Sequence, residues 1–209
     1  MASLLKALVF SLLPPHSLIQ KMKGNRVYLT FDDGPHPENT PRILDALDAH
    51  RAKATFFVQG EHVSRYPALA KRIVAEGHTI AGHSWSHRRL TLLAFRDTWD
   101  EFKKTQTAIS EATGVYTTLY RPPFGWVTLP MLLYAVIGRM RLVMWSVDSD
   151  DDRSRSVPTV MDKARQVQGG DIFLCHDDNS AILDALPELL REWYARGLVP
   201  CALGDDENG

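Results

Sequence analysis

Two adjacent carboxylates and a pair of histidines are the residues of this 209-residue chain best suited to chemistry. Asp32 and Asp33 follow a short apolar run and precede a Gly-Pro dipeptide, and His83 and His87 are four residues apart. If the segment between the histidines is helical, both imidazoles lie on one face. Imidazole nitrogen and carboxylate oxygen are ligands of zinc and similar ions, and catalytic sites keep one position for water. The two motifs together predict a metal site.

The Asp-Asp-Gly-Pro stretch at 32–35 is also typical of a simple turn, because Asp, Gly and Pro all favour turns. A turn, however, does not need the second aspartate. Since adjacent residues that leave a strand point in different directions, one carboxylate can bind a metal while its neighbour lies beside the reacting water. We therefore interpret the pair as one ligand and one proton acceptor.

The elements that must position these residues alternate between strand and helix patterns. Runs rich in β-branched and aromatic residues predict strands at 27–31, 54–58, 78–81, 119–121, 142–147, 172–175 and 199–203. Segments of helical period lie between them, at 40–47, 68–75, 99–112, 129–137, 160–167 and 182–194. Because parallel strands need crossover connections, this alternation predicts a parallel sheet. The expected fold class is α/β, a distorted (β/α) barrel of about seven parallel strands.

Polar residues follow the predicted strands one after another. The aspartate pair follows the first strand and the histidine pair the third, Arg121 ends the fourth, an acidic run at 148–152 follows the fifth, and His176 follows the sixth. Parallel barrels carry their reactive groups at the carboxyl ends of the strands. If the strands form one barrel, these groups converge.

Composition and charge exclude several classes of protein. Hydrophobic residues at 44%, charged residues at 23% and a net charge of -1 are typical of a soluble globular domain. Lysine and arginine are scattered and form no long basic stripe, so nucleic acid is not an expected partner. Cys175 and Cys201 lie in apolar, strand-like runs, and we interpret both as buried hydrophobic residues rather than as a disulfide.

Residues 1–24 are interpreted as an N-terminal apolar segment and residues 25–209 as one catalytic domain. The apolar run at 4–13 contains Lys6, leads into Pro14-Pro15, and is far shorter than the roughly 20 apolar residues that span a bilayer. We expect a retained helix that packs on the body or contacts a membrane surface, with an atypical signal sequence as the alternative. The expected location is cytoplasmic or membrane-peripheral, with the cell envelope as the alternative.

Five motifs in order make the chain resemble the polysaccharide deacetylases of carbohydrate esterase family four, from about Arg26 to Leu203. They are Thr30-Phe-Asp-Asp-Gly-Pro35, His83-Ser-Trp-Ser-His87, Arg121-Pro-Pro-Phe-Gly-Trp126, Trp145-Ser-Val-Asp148 and Leu174-Cys-His176-Asp177. The resemblance implies a distorted (β/α) barrel. It also implies that Asp33, His83 and His87 bind a divalent ion, usually zinc with cobalt as an alternative.

The same resemblance implies catalytic roles for four further side chains. Asp32 would be the general base, and His176 would protonate the departing amine. Arg121 would pair with Asp32, and Asp148 would hold the imidazole of His176. Two alternatives stay open: Arg121 as a purely structural ion pair, and another aspartate of the 148–152 run in place of Asp148.

Three further residues are expected to contact the substrate, and the first two are implied by the resemblance. The backbone N–H of Phe124 would donate to the oxyanion, and Leu174 would line the pocket for the acetyl methyl group. Trp126 would line a sugar groove together with Trp85, although either tryptophan could instead belong to the core. In one departure from the family pattern Asp152 stands where a tryptophan is usual, which predicts a more open and more acidic rim.

The sequence thus predicts a metal-dependent carbohydrate de-N-acetylase acting on N-acetylhexosamine units of a polysaccharide, oligosaccharide or glycolipid. One alternative is an O-acetyl ester hydrolase, because the motifs do not separate esters from amides. The other is a carbohydrate-binding relic of the same fold without turnover.

Overall fold

The computed structural model describes residues 18–89 and 95–204 of the chain. Within these residues there are nine short strands: β1 (Leu18–Ile19), β2 (Arg26–Asp32), β3 (Thr55–Val58), β4 (Thr79–Gly82), β5 (Leu119–Tyr120), β6 (Arg141–Val143), β7 (Val147–Asp148), β8 (Ile172–His176) and β9 (Val199–Cys201). The α-helices are α1 (Asn39–Ala49), α2 (Gly60–Arg65), α3 (Pro67–Ala75), α4 (Phe95–Thr113), α5 (Leu129–Ile137), α6 (Asp151–Ser154), α7 (Val157–Gln166) and α8 (Ser180–Ala195). A 3-10 turn spans Pro123–Gly125.

The named strands pair in parallel, with β2 near the middle of the sheet. The order is β1-β6-β5-β4-β3-β2-β8-β7, and β9 pairs with the first half of β2. From Val27 to Asp32 every residue of β2 is buried, as expected for a parallel strand that is covered on both faces. The strand that carries the aspartates is therefore the most enclosed part of the sheet.

The chain itself joins the two ends of the sheet. Strand β6, beside one edge, and β7, at the other edge, are separated only by residues 144–146. The N–H of Met144 donates to the carbonyl of Ile19 at 2.7 Å, and the N–H of Ser146 donates to the carbonyl of Ile172 at 3.0 Å. These bonds curl the sheet into a distorted barrel and confirm the predicted fold class.

The predicted single strand at 142–147 is wrong, because its middle residues cross from one edge of the sheet to the other. This split, together with the unpredicted β1, raises the number of strands among the described residues from about seven to nine. Strand β1 pairs with β6, and the N–H of Met22 donates to the carbonyl of Gly170 at 2.8 Å, so residues 18–22 pack with the barrel.

The apolar run at 4–13 lies outside the described residues. Among the helices that are described, none is long and apolar enough to cross a membrane. Cys175 is buried in the core between the sheet and the helices, as the sequence predicted, whereas Cys201 is only partly buried, so the prediction of two buried cysteines is wrong for Cys201. The two cysteines are not joined by a disulfide.

Candidate active site

The carboxyl end of β2 brings the two adjacent aspartates to one rim of the barrel. In the parallel register Asp32 lies beside His176 of β8, and Asp32 is only 3% exposed. Asp33 has a φ of 73°, a left-handed conformation that is uncommon for residues other than glycine. The two carboxylates consequently reach different partners: Arg121 for Asp32 and His87 for Asp33.

The segment from His83 to His87 follows β4 as an irregular loop, so the helical premise for this motif is wrong. Ser84 and His87 have φ values of 68° and 52° and bend the loop sharply. The N–H of His87 donates to Ser84 Oγ at 3.0 Å. The two imidazole centroids are nevertheless 5.0 Å apart, so the loop itself brings the rings together.

Asp33, His83 and His87 place one potential ligand atom each within 4.8 Å of one another. The Nε2 atoms of His87 and His83 are 3.4 Å and 3.7 Å from Asp33 Oδ1. His83 Nδ1 donates to the carbonyl of Arg121 at 2.7 Å, so a neutral His83 ring presents an unprotonated Nε2 to this group. Two imidazoles and a carboxylate in this arrangement fit a divalent ion such as zinc.

Asp33 is held by two neighbours that the sequence analysis did not single out. Gln59 Nε2 donates to Asp33 Oδ1 at 2.8 Å, and His62 Nδ1 donates to the Asp33 carbonyl at 2.9 Å. Burial raises the pKa of Asp33, but the neighbouring His83, His87 and His176 and the hydrogen bond from Gln59 together lower the pKa below its ordinary value. The side chain is therefore a carboxylate at neutral pH, as a metal ligand must be.

Arg121 is fully buried, and its guanidinium bonds to Asp32. Its Nη1 lies 2.6 Å from Asp32 Oδ1 and 2.8 Å from Thr30 Oγ1. Its Nε and Nη2 donate to the carbonyls of Val143 and Met144 at 3.2 Å and 3.1 Å. The other carboxylate oxygen of Asp32, Oδ2, lies 3.6 Å from His83 Nε2. The guanidinium therefore fixes which carboxylate oxygen faces the histidines.

His176 is paired with Asp151, at the first turn of α6. Nδ1 of His176 lies 2.8 Å from Asp151 Oδ1, and the His176 backbone N–H donates to Asp151 Oδ2 at 2.9 Å. Burial lowers the pKa of His176, but the hydrogen bond and charge of Asp151, with the charges of Asp32 and Asp33, raise the pKa to about 10. His176 is therefore protonated at neutral pH.

The expectation that Asp148 holds His176 is corrected by this geometry. Asp148 accepts from Arg153 Nη2 at 2.6 Å and from the Asp150 N–H at 2.9 Å. Asp151 instead is completely buried and reaches the histidine because Asp150, with a φ of 55°, turns the chain before it. The sequence left open that another aspartate of the 148–152 run holds His176, and in the structure Asp151 is that aspartate.

Asp32, Asp33, His83, His87 and His176 line one cleft with a volume of about 380 Å³, and Arg121 and Asp151 lie buried behind it. Phe124 and Trp126 line one part of it and are roughly half exposed, and Leu174 contributes from β8. Phe124 has a φ of 58°, at the centre of the 3-10 turn. Trp85 packs against the core instead and does not line this cleft.

The rim near His176 is acidic. Asp148, Asp152 and Asp178 line the cleft there, together with Arg153. The single guanidinium of Arg153 lies within 3.5 Å of Asp148, Asp150 and Asp152. Negative charge therefore exceeds positive charge at the position where the family pattern has an indole.

Asp177 is a buried carboxyl group behind the aspartate pair, and the sequence analysis gave it no role. Thr40 Oγ1 donates to its Oδ2 at 2.5 Å. Gly34 is required here, because a Cβ at that position would lie 2.0 Å from the same oxygen. Burial raises the pKa of Asp177 to about 8. The only sequence signal for this residue was its place directly after His176.

Carboxylates and imidazoles gathered at the carboxyl ends of parallel strands lie where barrels of this class carry their active sites. The family model described as polysaccharide deacetylase matches residues 19–136, more than half of the chain. The chain belongs to this family.

Three relatives illustrate the similarity. The peptidoglycan-N-acetylglucosamine deacetylase PgdA of Listeria monocytogenes is 38% identical over 181 residues, which cover 86% of this chain and 38% of that protein. The Bc1960 peptidoglycan N-acetylglucosamine deacetylase superposes with a TM-score of 0.86 at 31% identity and covers 90% of this chain and 91% of its own. BA3943 of Bacillus anthracis, described as a pseudoenzyme of the family, superposes with a TM-score of 0.85 at 26% identity, covering 91% of this chain and 68% of its own.

Two facts about these relatives bear on function. The chain spans about two fifths of the length of the Listeria protein. The relatives include both proteins named as carbohydrate deacetylases and a pseudoenzyme, so membership of the family does not by itself establish turnover.

Proposed function

We propose that this chain is a metal-dependent hydrolase that removes N-acetyl groups from N-acetylhexosamine units of a polysaccharide, oligosaccharide or glycolipid. The observation that supports it best is the shared cleft of Asp33, His83 and His87 with Asp32 and His176. A binding relic would not need a carboxylate base beside the ligand group and a protonated histidine in the same cleft.

Asp33, His83 and His87 would hold the divalent ion, with zinc favoured over cobalt. When bound there, such an ion polarises the acetyl carbonyl and lowers the pKa of water. Asp32 takes the proton of the attacking water through Oδ2, since Oδ1 is held by Arg121. Arg121 favours the ionised form of Asp32 and fixes its direction.

His176 supplies the second proton transfer. The water oxygen bonds to the acetyl carbon, the C–N bond breaks, and His176 gives its proton to the departing nitrogen, which leaves acetate and a free amine. Asp151 holds the Nδ1 side of the ring, so Nε2 is the donating atom. An amide nitrogen needs this proton more than an ester oxygen does, so a histidine charged at neutral pH favours amide substrates.

The remaining cleft residues would bind the acetyl group and the sugar. The backbone N–H of Phe124 would donate to the developing oxyanion, and Leu174 would contact the acetyl methyl group. Trp126 offers an exposed aromatic face for a pyranose ring.

The test is acetate release by the purified, metal-analysed protein from N-acetylglucosamine oligomers, peptidoglycan and acetylxylan, each with chelator and with zinc added back. The Asp32→Asn variant is the matched control. The proposal expects zinc-dependent release from an amide substrate. Release from acetylxylan alone would favour the ester hydrolase, and zinc binding without release from any substrate would favour the relic.

A further inference from the structure

The backbone N–H and carbonyl groups of the loop that carries His83 and His87 need hydrogen-bond partners. Because this loop is not helical, its backbone N–H groups have no carbonyl partners within a helix, and buried N–H groups need partners. Two of its carbonyls are satisfied by the start of α2: Ser84 O accepts from the Gly60 N–H at 3.0 Å, and Trp85 O accepts from the Glu61 N–H at 3.1 Å.

A single carboxylate satisfies the N–H groups on the other side of the loop. Glu101 Oε2 accepts from the backbone N–H groups of Trp85 and Ser86 at 2.9 Å and 3.0 Å, and Oε1 accepts from Ser86 Oγ at 2.9 Å. Arg88 also approaches Oε1, at 3.4 Å, from an exposed position. Glu101 itself is 4% exposed.

Burying a carboxylate is costly unless it is hydrogen-bonded or paired, and these contacts supply that compensation. Charge-assisted bonds of this kind are roughly twice as strong as neutral ones. Glu101 lies on α4, far along the chain from both histidines, and does not line the cleft. Its shortest contacts are with Trp85 and Ser86, which lie between the two histidines, so it acts on the shape of the loop rather than on the chemistry of the site.

We propose that Glu101 is a positioning residue for the ligand group: its carboxylate holds the loop in the conformation in which His83 and His87 face Asp33. The inference rests on the proposed metal site. Outer-shell residues that orient ligands typically contribute about 10- to 100-fold to metal affinity.

The experiment measures zinc affinity by chelator competition, together with the visible spectrum of the Co²⁺-loaded protein, in the wild type and three variants. Glu101→Ala removes the acceptor, and Glu101→Gln keeps an amide carbonyl that can accept from the loop. Ile109→Ala is the control, because Ile109 is a fully buried core residue two turns further along α4 and its side chain cannot form hydrogen bonds to the loop.

We expect Glu101→Ala to lose about 10- to 100-fold in zinc affinity and to change the Co²⁺ spectrum. Glu101→Gln should recover much of the loss, and Ile109→Ala should bind zinc like the wild type despite lower stability. Equal zinc affinities in Glu101→Ala and Ile109→Ala would overturn the inference.

Amide hydrogen exchange of the metal-free protein separates this inference from the proposed function. The N–H groups of Trp85 and Ser86 should be protected in the wild type and in Ile109→Ala, and should exchange rapidly in Glu101→Ala. Unchanged protection in Glu101→Ala would contradict the positioning role. Protection that depends on Glu101 in a protein that binds zinc but releases no acetate would refute the proposed function alone.

Discussion

The Nδ1 atom of His176 lies 2.8 Å from Oδ1 of Asp151, a carboxylate with no exposed surface. Asp151 also accepts from the backbone N–H of His176, so one side chain fixes both the ring and the main chain of the histidine. The pair explains why a largely buried imidazole stays charged at neutral pH, and it makes Asp151 rather than Asp148 the partner to test.

Replacing Asp151 with Asn should shift the alkaline limit of activity to lower pH. The folded pKa of His176, about 10, lies above its ordinary value of 6.5. The pair therefore contributes stability that is fully present below about pH 6.5 and is lost as the pH rises through about 10. Without the Asp151 charge the pKa of His176 falls, so its proton is lost earlier. The measurement is the pH profile of kcat, with an NMR titration of the His176 ring.

Asp148→Asn is the matched control, because Asp148 carries the same charge in the same loop but bonds Arg153. Its alkaline limit should change much less than that of Asp151→Asn. If Asp148→Asn produced the larger shift, the Asp151 assignment would be wrong.

Replacing Arg121 with Met should destabilise the protein strongly. The substitution keeps much of the apolar volume but leaves the Asp32 carboxylate without its partner in a buried site, and breaking a buried pair in this way costs roughly 3–5 kcal/mol. Denaturant unfolding of the metal-free variant gives the change in the free energy of unfolding. A loss below about 1 kcal/mol, the size typical of surface pairs, would contradict a buried pair.

Replacing Asp152 with Trp, the residue usual in the family at this position, should lower the KM for neutral N-acetylglucosamine oligomers. The indole would add an apolar wall beside His176 and remove a negative charge from the rim. Asp152→Asn separates the two effects, because it removes the charge without adding a ring. A wild-type protein that already strongly prefers long neutral chitin would count against the acidic-rim hypothesis.

Most of the fold could be predicted from the sequence, because strand-like and helix-like segments alternate clearly along the chain. Buried runs such as Ile172–His176 are recognisable from composition alone. The crossing at 144–146 was missed because Met144 and Trp145 are apolar like the residues of a strand, while the role of the segment is set by hydrogen bonds to Ile19 and Ile172, which are distant in sequence. Long-range partners of this kind leave no local pattern.

For the site, motif spacing identified the side chains that meet in the cleft but not the contacts that hold them. His83 and His87 converge through two left-handed residues in a loop, which spacing alone cannot distinguish from a helix. Asp151 could not be separated from its acidic neighbours, because their difference lies in the backbone turn at Asp150. No sequence pattern pointed to Glu101, because it contacts Trp85 and Ser86 only once α4 packs against the histidine loop.

Replacing His87 with Ala should remove zinc and turnover together. His87 Nε2 forms the proposed ligand group with His83 Nε2 and Asp33 Oδ1, and removing a ligand should cost more than the roughly 10- to 100-fold in affinity that outer-shell changes cost. Metal content after dialysis and the zinc dissociation constant check this. Retention of one tightly bound zinc by His87→Ala would exclude His87 from the ligand group.

The measurement that tests the central claim most directly is zinc content and acetate release of the Asp32→Asn variant beside the wild type. The division of labour between the two aspartates predicts that Asp32→Asn binds zinc like the wild type and loses roughly 100- to 10,000-fold in kcat, the range of a general base. Loss of zinc from Asp32→Asn, or near-normal turnover, would contradict the assignment of Asp32 as base and Asp33 as ligand.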